Sequence, residues 1–116
     1  MYRKLLRAKL HSATVTGADL HYEGSIAIDT DLLQAAGIAP YESVNVWNVS
    51  NGERFETYAI PSPAGSGEIM INGAAARRVQ VGDRVIVAAW GWFTEEEIAA
   101  HHPAVVLVDS GNRPKN

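Results

Sequence analysis

The chain has 116 residues, inside the usual size of one domain. Its 47% hydrophobic and 20% charged residues are the balance of a folded soluble protein rather than a disordered or fibrous one. A formal net charge of −3 is too weak and too mixed for a polyanion-binding surface, so nucleic acid is not an expected partner. With no cysteine, disulfides, thiol nucleophiles and Cys-ligated zinc are excluded.

The basic start MYRKLLRAKLHS lacks the apolar run of a secretory signal, and no stretch reaches membrane-spanning length, so a cytoplasmic protein with no membrane partner is expected. From Arg3 to Thr16, Leu6, Ala8 and Leu10 alternate with Arg7, Lys9 and His11, the period of a strand with one polar face. Lys9 and His11 then point the same way. A short helix is expected over Asp29–Ala36, with Asp29 or Thr30 capping its first amides, Gly37 as the left-handed stop, and Leu32, Leu33, Ala35 and Ala36 packing.

SVNVWNVS and ERFETYAI are rich in β-branched and aromatic residues and flank Asn51-Gly52, the pair favoured by a two-residue type I′ turn, which predicts a hairpin. In its second arm Arg54, Glu56 and Tyr58 share one face, Phe55, Thr57 and Ala59 the other. Pro61 to Gly67 reads as a loop, Glu68–Ile71 as a short strand, and Asn72-Gly73-Ala74-Ala75-Ala76 as a tight entry into a helical turn with free amides. After the Val81-Gly82-Asp83 turn, the apolar run Arg84–Ala89 predicts a strand buried on both sides, as barrel closure would give. Thr94-Glu95-Glu96-Glu97 is a capping box opening an acidic helix that ends near His101, and Ala104–Asp109 is a last strand. Many short strands with little helix point to a small β barrel.

By composition alone, Gly24-Ser25 is a turn, Tyr58 a strand residue with a satisfied hydroxyl, Arg54 and Lys9 solvated strand residues, and Trp47 core or pocket wall. The chemical alternative at Gly24-Ser25 is attack of the Ser25 hydroxyl on the Gly24 carbonyl, with glycine free to hold strained angles. The turn after Asn72 is either structural or an anion site whose small side chains let a ligand approach its amides. His11 and His21 lack a third ligand, so no metal is expected, and His101-His102 suits a helix end.

Lys9-Leu10-His11, ADLHYEGS (Ala18 to Ser25), Trp47-Asn48-Val49, Asn51-Gly52, Arg54, Thr57-Tyr58-Ala59-Ile60, Asn72-Gly73-Ala74-Ala75-Ala76 and Val81-Gly82-Asp83 together resemble the bacterial aspartate 1-decarboxylases. The resemblance runs from about Lys4 to Asp109; Ser50 stands where many relatives carry threonine, and Trp90-Gly91-Trp92-Phe93 matches no family motif.

That resemblance implies a mainly β fold, a six-stranded double-psi β barrel with short helices filling 1–116 as one domain. It implies a homotetramer with active sites between subunits, and self-cleavage into 1–24 and 25–116 that turns Ser25 into a covalently bound pyruvoyl group. No metal and no pyridoxal phosphate would be required. The substrate amine would condense with the pyruvoyl ketone to an imine that accepts the electrons left by CO2, and L-aspartate would become β-alanine for pantothenate synthesis.

By the same resemblance Tyr58 is the proton donor, Thr57 lies beside the cleavage site and substrate, and Gly73, Ala74 and Ala75 line the pocket with Asn72. Arg54, Lys9, Tyr22 and Trp47 are further pocket positions, Arg54 suited to a bidentate carboxylate contact. Whether processing is spontaneous or needs a maturation factor stays open, as does glutamate against aspartate. A barrel-shaped binding module that never cleaves itself is the alternative from another class.

Overall fold

β1 (Tyr2–Thr14) is the longest strand of the protein, pairing antiparallel with β7 (Arg84–Thr94) on one side and parallel with β8 (Ala104–Leu107) on the other. The structure, a computed structural model, describes residues 1–116. The other elements are β2 (Gly17–Asp19), β3 (Ser25–Asp29), α1 (Thr30–Ala36), β4 (Ser43–Asn48), β5 (Arg54–Ser62), β6 (Ile69–Asn72), a 3-10 helix (Gly73–Arg78) and α2 (Glu95–Ala99). All strands join one mixed sheet in the order β2-β6-β3-β5-β4-β7-β1-β8.

The mainly β fold with short helices is as expected, and the strand count is eight where six are implied. Six inner strands run from β6 to β1, and the short β2 and β8 add to their edges. The sheet curls on itself at Thr16, which follows β1: its amide donates to the Ile69 carbonyl of β6 at 2.8 Å, and its Oγ1 accepts from the Ile69 amide at 3.0 Å. Leu10, Ile26, Ile28, Val44, Val46, Ile69, Ile71, Val85 and Val87 fill the interior with no exposure, joined by Leu32 of α1.

Local chemistry explains most boundaries. Asp29 caps α1 by accepting from the Asp31 amide, and Gly37 ends it at φ 71°. Thr94 and Glu97 form both bonds of the capping box at α2, which stops at Ala99, short of His101. The hairpin of β4 and β5 is present, but its turn is not type I′. Asn51 lacks the positive φ that type requires, and the strands are joined by the five residues Val49–Glu53. The Asn51 side chain instead accepts from the Glu53 amide and donates to the Arg78 carbonyl, so contact with the 3-10 helix sets the loop. β7 runs on past Ala89 through Trp90-Gly91-Trp92-Phe93, because that segment pairs with Arg3–Leu6 of β1. On its second face Ala88 is buried and Ile86 half-buried.

Asp29 does more than cap. Its carboxylate is fully buried and accepts from the amides of Asp31, Gly65 and Gly67 at 2.8, 3.0 and 2.9 Å, with Arg113 at 3.9 Å. Burial raises its pKa, but the three amides and the guanidinium outweigh burial and hold it below the ordinary 3.8. A carboxyl with a depressed folded pKa stabilises the fold above its unfolded pKa and loses that contribution as pH falls through the folded value. Asp29→Ala is therefore expected to cost about 3 kcal/mol in urea unfolding at neutral pH, since three amides, that of Gly67 buried, lose their acceptor. The stability gap between the parent and Asp29→Asn should shrink as pH drops below about 4.

Candidate functional site

Ser25 opens β3, which is clamped parallel to β5 and antiparallel to β6. The residues before it, His21 to Gly24, are exposed, whereas Ser25 retains 1% exposure, so the chain passes from solvent into the sheet across a single peptide bond. Inside, the Asn72 Nδ2 donates to Ser25 Oγ at 3.1 Å, and the Ser25 hydroxyl reaches the Glu23 carbonyl at 3.4 Å. Asn72 Oδ1 is buried beside them with no partner. Asn72 also occupies the N-cap position of the 3-10 helix, and because its side chain is turned to Ser25 it caps none of that helix's amides.

Gly73 follows with φ 74°, and a Cβ there would sit 2.7 Å from Gly24 Cα, 2.9 Å from Gly24 N and 3.2 Å from the Tyr22 carbonyl. Only glycine permits both the left-handed backbone and this approach. A Cβ on Gly24 would meet nothing within 4 Å, so the cleavage candidate is open on its other side.

Register decides which other residues join them. Ile26 pairs with Ala59, and one step back Ser25 lies beside Tyr58; Ser25 also pairs with Asn72. Tyr58, Ser25 and Asn72 thus form a row on the outer face of three adjacent strands. Thr57 points to the opposite side of β5, with Phe55 and Ala59, opposite the buried Val44. A groove of about 360 Å³ adjoins the row, lined in part by Asp19, Tyr22, Ile60, Glu68, Met70 and Asn72.

The expected cations are elsewhere. Arg54 stacks on Trp47 at 4.6 Å, and Trp47 meets Trp90 edge-on at 6.3 Å. Arg54 lies four residues along β5 from Tyr58, roughly 13 Å at strand rise. Lys9 sits on β1, from which β7, β4 and β5 separate β3. One chain therefore gathers Gly24, Ser25, Tyr58, Asn72, Gly73 and Tyr22, and leaves Arg54, Lys9 and Trp47 on a separate part of the outer face. Sequence reasoning passed over Tyr41, whose ring lies 6.2 Å from that of Tyr58; the signal available was Pro40, a turn marker just before it.

Gly73→Ala tests the close approach. It should destabilise the fold by about 1–3 kcal/mol and greatly slow any change at Gly24-Ser25, read by denaturant unfolding and by a mass time course. Parental behaviour in both would show the contact to be unimportant.

Comparison with known proteins bears on the same residues. The family model described as aspartate decarboxylase matches residues 1–115. Proteins named aspartate 1-decarboxylase are similar to the chain: that of Bordetella pertussis is 60% identical over 115 residues, covering 99% of this chain and 94% of its own. That of Syntrophotalea carbinolica is 57% identical over 114 residues, covering 98% and 87%, and that of Desulfotalea psychrophila 53% identical over 115 residues, covering 99% and 97%. Among solved structures, the rationally designed protein mkDPBB_sym_86 aligns with TM-score 0.49 and 17% identity over 68% of this chain and 91% of that one. The chain belongs to the aspartate decarboxylase family.

Proposed function

We propose that this enzyme cuts its own backbone between Gly24 and Ser25 and then decarboxylates L-aspartate to β-alanine in the cytoplasm, as a step toward pantothenate. The observation that carries the reading is a buried Ser25 hydroxyl held by Asn72 against an exposed Gly24, in a chain of this family. In processing, Ser25 Oγ adds to the Gly24 carbonyl carbon and the carbon–nitrogen bond breaks, leaving an ester. Elimination across Ser25 Cα–Cβ frees the Gly24 carboxylate, and water replaces the Ser25 nitrogen, which leaves as ammonia. The surroundings suit a small polar group at this position: Asn72 Nδ2 reaches Ser25 Oγ, and the buried Asn72 Oδ1 on the same side chain has no partner.

The pyruvoyl group supplies a ketone that can take up an amine and draw off the electrons released with CO2. The chain's own residues do the rest. Tyr58, in the row beside Ser25, is assigned the proton that Oη delivers to the carbon that loses CO2. The family resemblance assigns Thr57 to the cleavage site and substrate, although in a single chain its side chain lies on the other side of β5 from Tyr58, and it assigns the amides of Gly73, Ala74 and Ala75 to the pocket with Tyr22 and Asn72.

The charge pattern supports an assembly. The groove beside Ser25 carries Asp19 and Glu68 and no cation, which suits a dicarboxylate poorly, while Arg54 stacked on Trp47 forms a cationic and aromatic patch apart from it, and Lys9 lies on β1. A second copy laying that patch over the first copy's Ser25 completes the pocket, in keeping with a homotetramer that has active sites between subunits. Residues 1–24 contain β1, paired with β7 and β8, so both pieces of the cut domain stay interlocked.

Ser25→Ala is expected to remain one chain and release no CO2 from aspartate, because no hydroxyl is left to attack; a ketone-bearing fragment from it would overturn the mechanism. Tyr58→Phe should still cleave but turn over about 100-fold or more slowly. Turnover near the parental rate would remove Tyr58 as the acid. Parallel assays with glutamate measure the preference for aspartate.

A further inference from the structure

Ala39-Pro40-Tyr41-Glu42 is a four-residue turn closed by the Glu42 amide on the Ala39 carbonyl at 3.1 Å. Proline in second place and a left-handed residue in third are the pattern of a type II turn, where glycine or asparagine normally stands. Here the third residue is Tyr41, at φ 68° and 76% exposed. An aromatic side chain gains nothing for the backbone in that conformation, and burial does not hold it there.

The turn is fixed to β5 at the residue after Tyr58. The Tyr41 amide donates to the Ala59 carbonyl at 2.7 Å, and the Ala59 amide donates to the Glu42 carbonyl at 3.0 Å. Glu42 is locked in turn, its carboxylate accepting from the Ala39 amide at 3.0 Å and pairing with Arg7, whose Nη1 also holds the Gly37 carbonyl. From this platform the Tyr41 ring lies 6.2 Å from the Tyr58 ring at an interplanar angle of 30°. That separation is within the range of interacting aromatic pairs.

We propose that Tyr41 is a positioning residue: its ring, held by the strained turn, restricts the rotamers of Tyr58 and keeps its phenol aimed at the row with Ser25. The proposal rests on the reading of Tyr58 as the proton donor. The ring makes the contact, so the Tyr41 hydroxyl is dispensable.

Tyr41→Asn relaxes the backbone and removes the ring, while Tyr41→Phe keeps the ring. Tyr41→Asn is expected to keep or raise Tm, to cleave fully, to leave KM for L-aspartate within about twofold, and to lower kcat at least fivefold. Tyr41→Phe should restore kcat. In the Tyr58→Phe background Tyr41→Asn should change kcat no further, and the Tyr58 ring resonances, assigned through Tyr58→Phe, should shift in Tyr41→Asn. Parental kcat in Tyr41→Asn, unmoved Tyr58 resonances, or an equal loss in the Tyr58→Phe background would overturn the proposal. Failure of the underlying reading looks different: Tyr58→Phe itself would then turn over normally.

Discussion

One passage of chain, from solvent into the sheet at Gly24-Ser25, conditions the rest of the molecule. β3 has neighbours on both edges, so its first residue cannot shift without breaking the ladders to β5 and β6. That fixes the Ser25 hydroxyl against Asn72 and, by the same register, sets Ser25 on the strand beside Tyr58. Gly73 presses on Gly24 from beneath, so the residue on the exposed side of the bond has little freedom of its own. The Ser25 side chain and the Gly24 backbone are thereby each held by contacts with Asn72 and Gly73.

The supports of this arrangement are polar and lie outside the row. Asp29, at the far end of β3, gathers the amides of Gly65 and Gly67, and Asn112 donates to the Gly67 and Thr14 carbonyls while accepting from the Thr14 amide. β3, the loop after Ser62, β1 and the C-terminal segment are thus tied in one network. Pro61 to Pro63, on the rim of the groove, lie directly before that loop. The fold holds Ser25, Asn72 and Gly73 together, and Arg54 lies four residues along β5 from Tyr58, stacked on Trp47.

Much of this was legible in the residues because the signals are local. Asp29 and Gly37 bound α1, and Thr94 with Glu97 opens α2, since caps depend on groups within one turn. The motifs around Ser25, Tyr58 and Asn72 carried the family. What could not be read depends on partners distant in sequence. The loop after β4 departs from type I′ because Arg78 holds Asn51, β7 continues through Trp92 because β1 pairs with it, and the buried role of Asp29 is set by Gly65, Gly67 and Arg113. Lys9 and Arg54 look like neighbours of Ser25 in a motif list, yet strand order sets Lys9 on β1, and Arg54 lies four residues along β5 from Tyr58. Tyr41 escaped notice because only the folded turn reveals a left-handed aromatic beside Tyr58.

The central claim, that Ser25 becomes the reactive group, is tested most directly by intact mass spectrometry of the purified protein under denaturing conditions. The account predicts two masses, for residues 1–24 and 25–116, the larger lighter by one ammonia than a chain beginning with serine and reactive toward a ketone reagent. A single uncut mass that persists on long incubation, including with cell extract supplied to provide any maturation factor, and without CO2 release from aspartate, would contradict it.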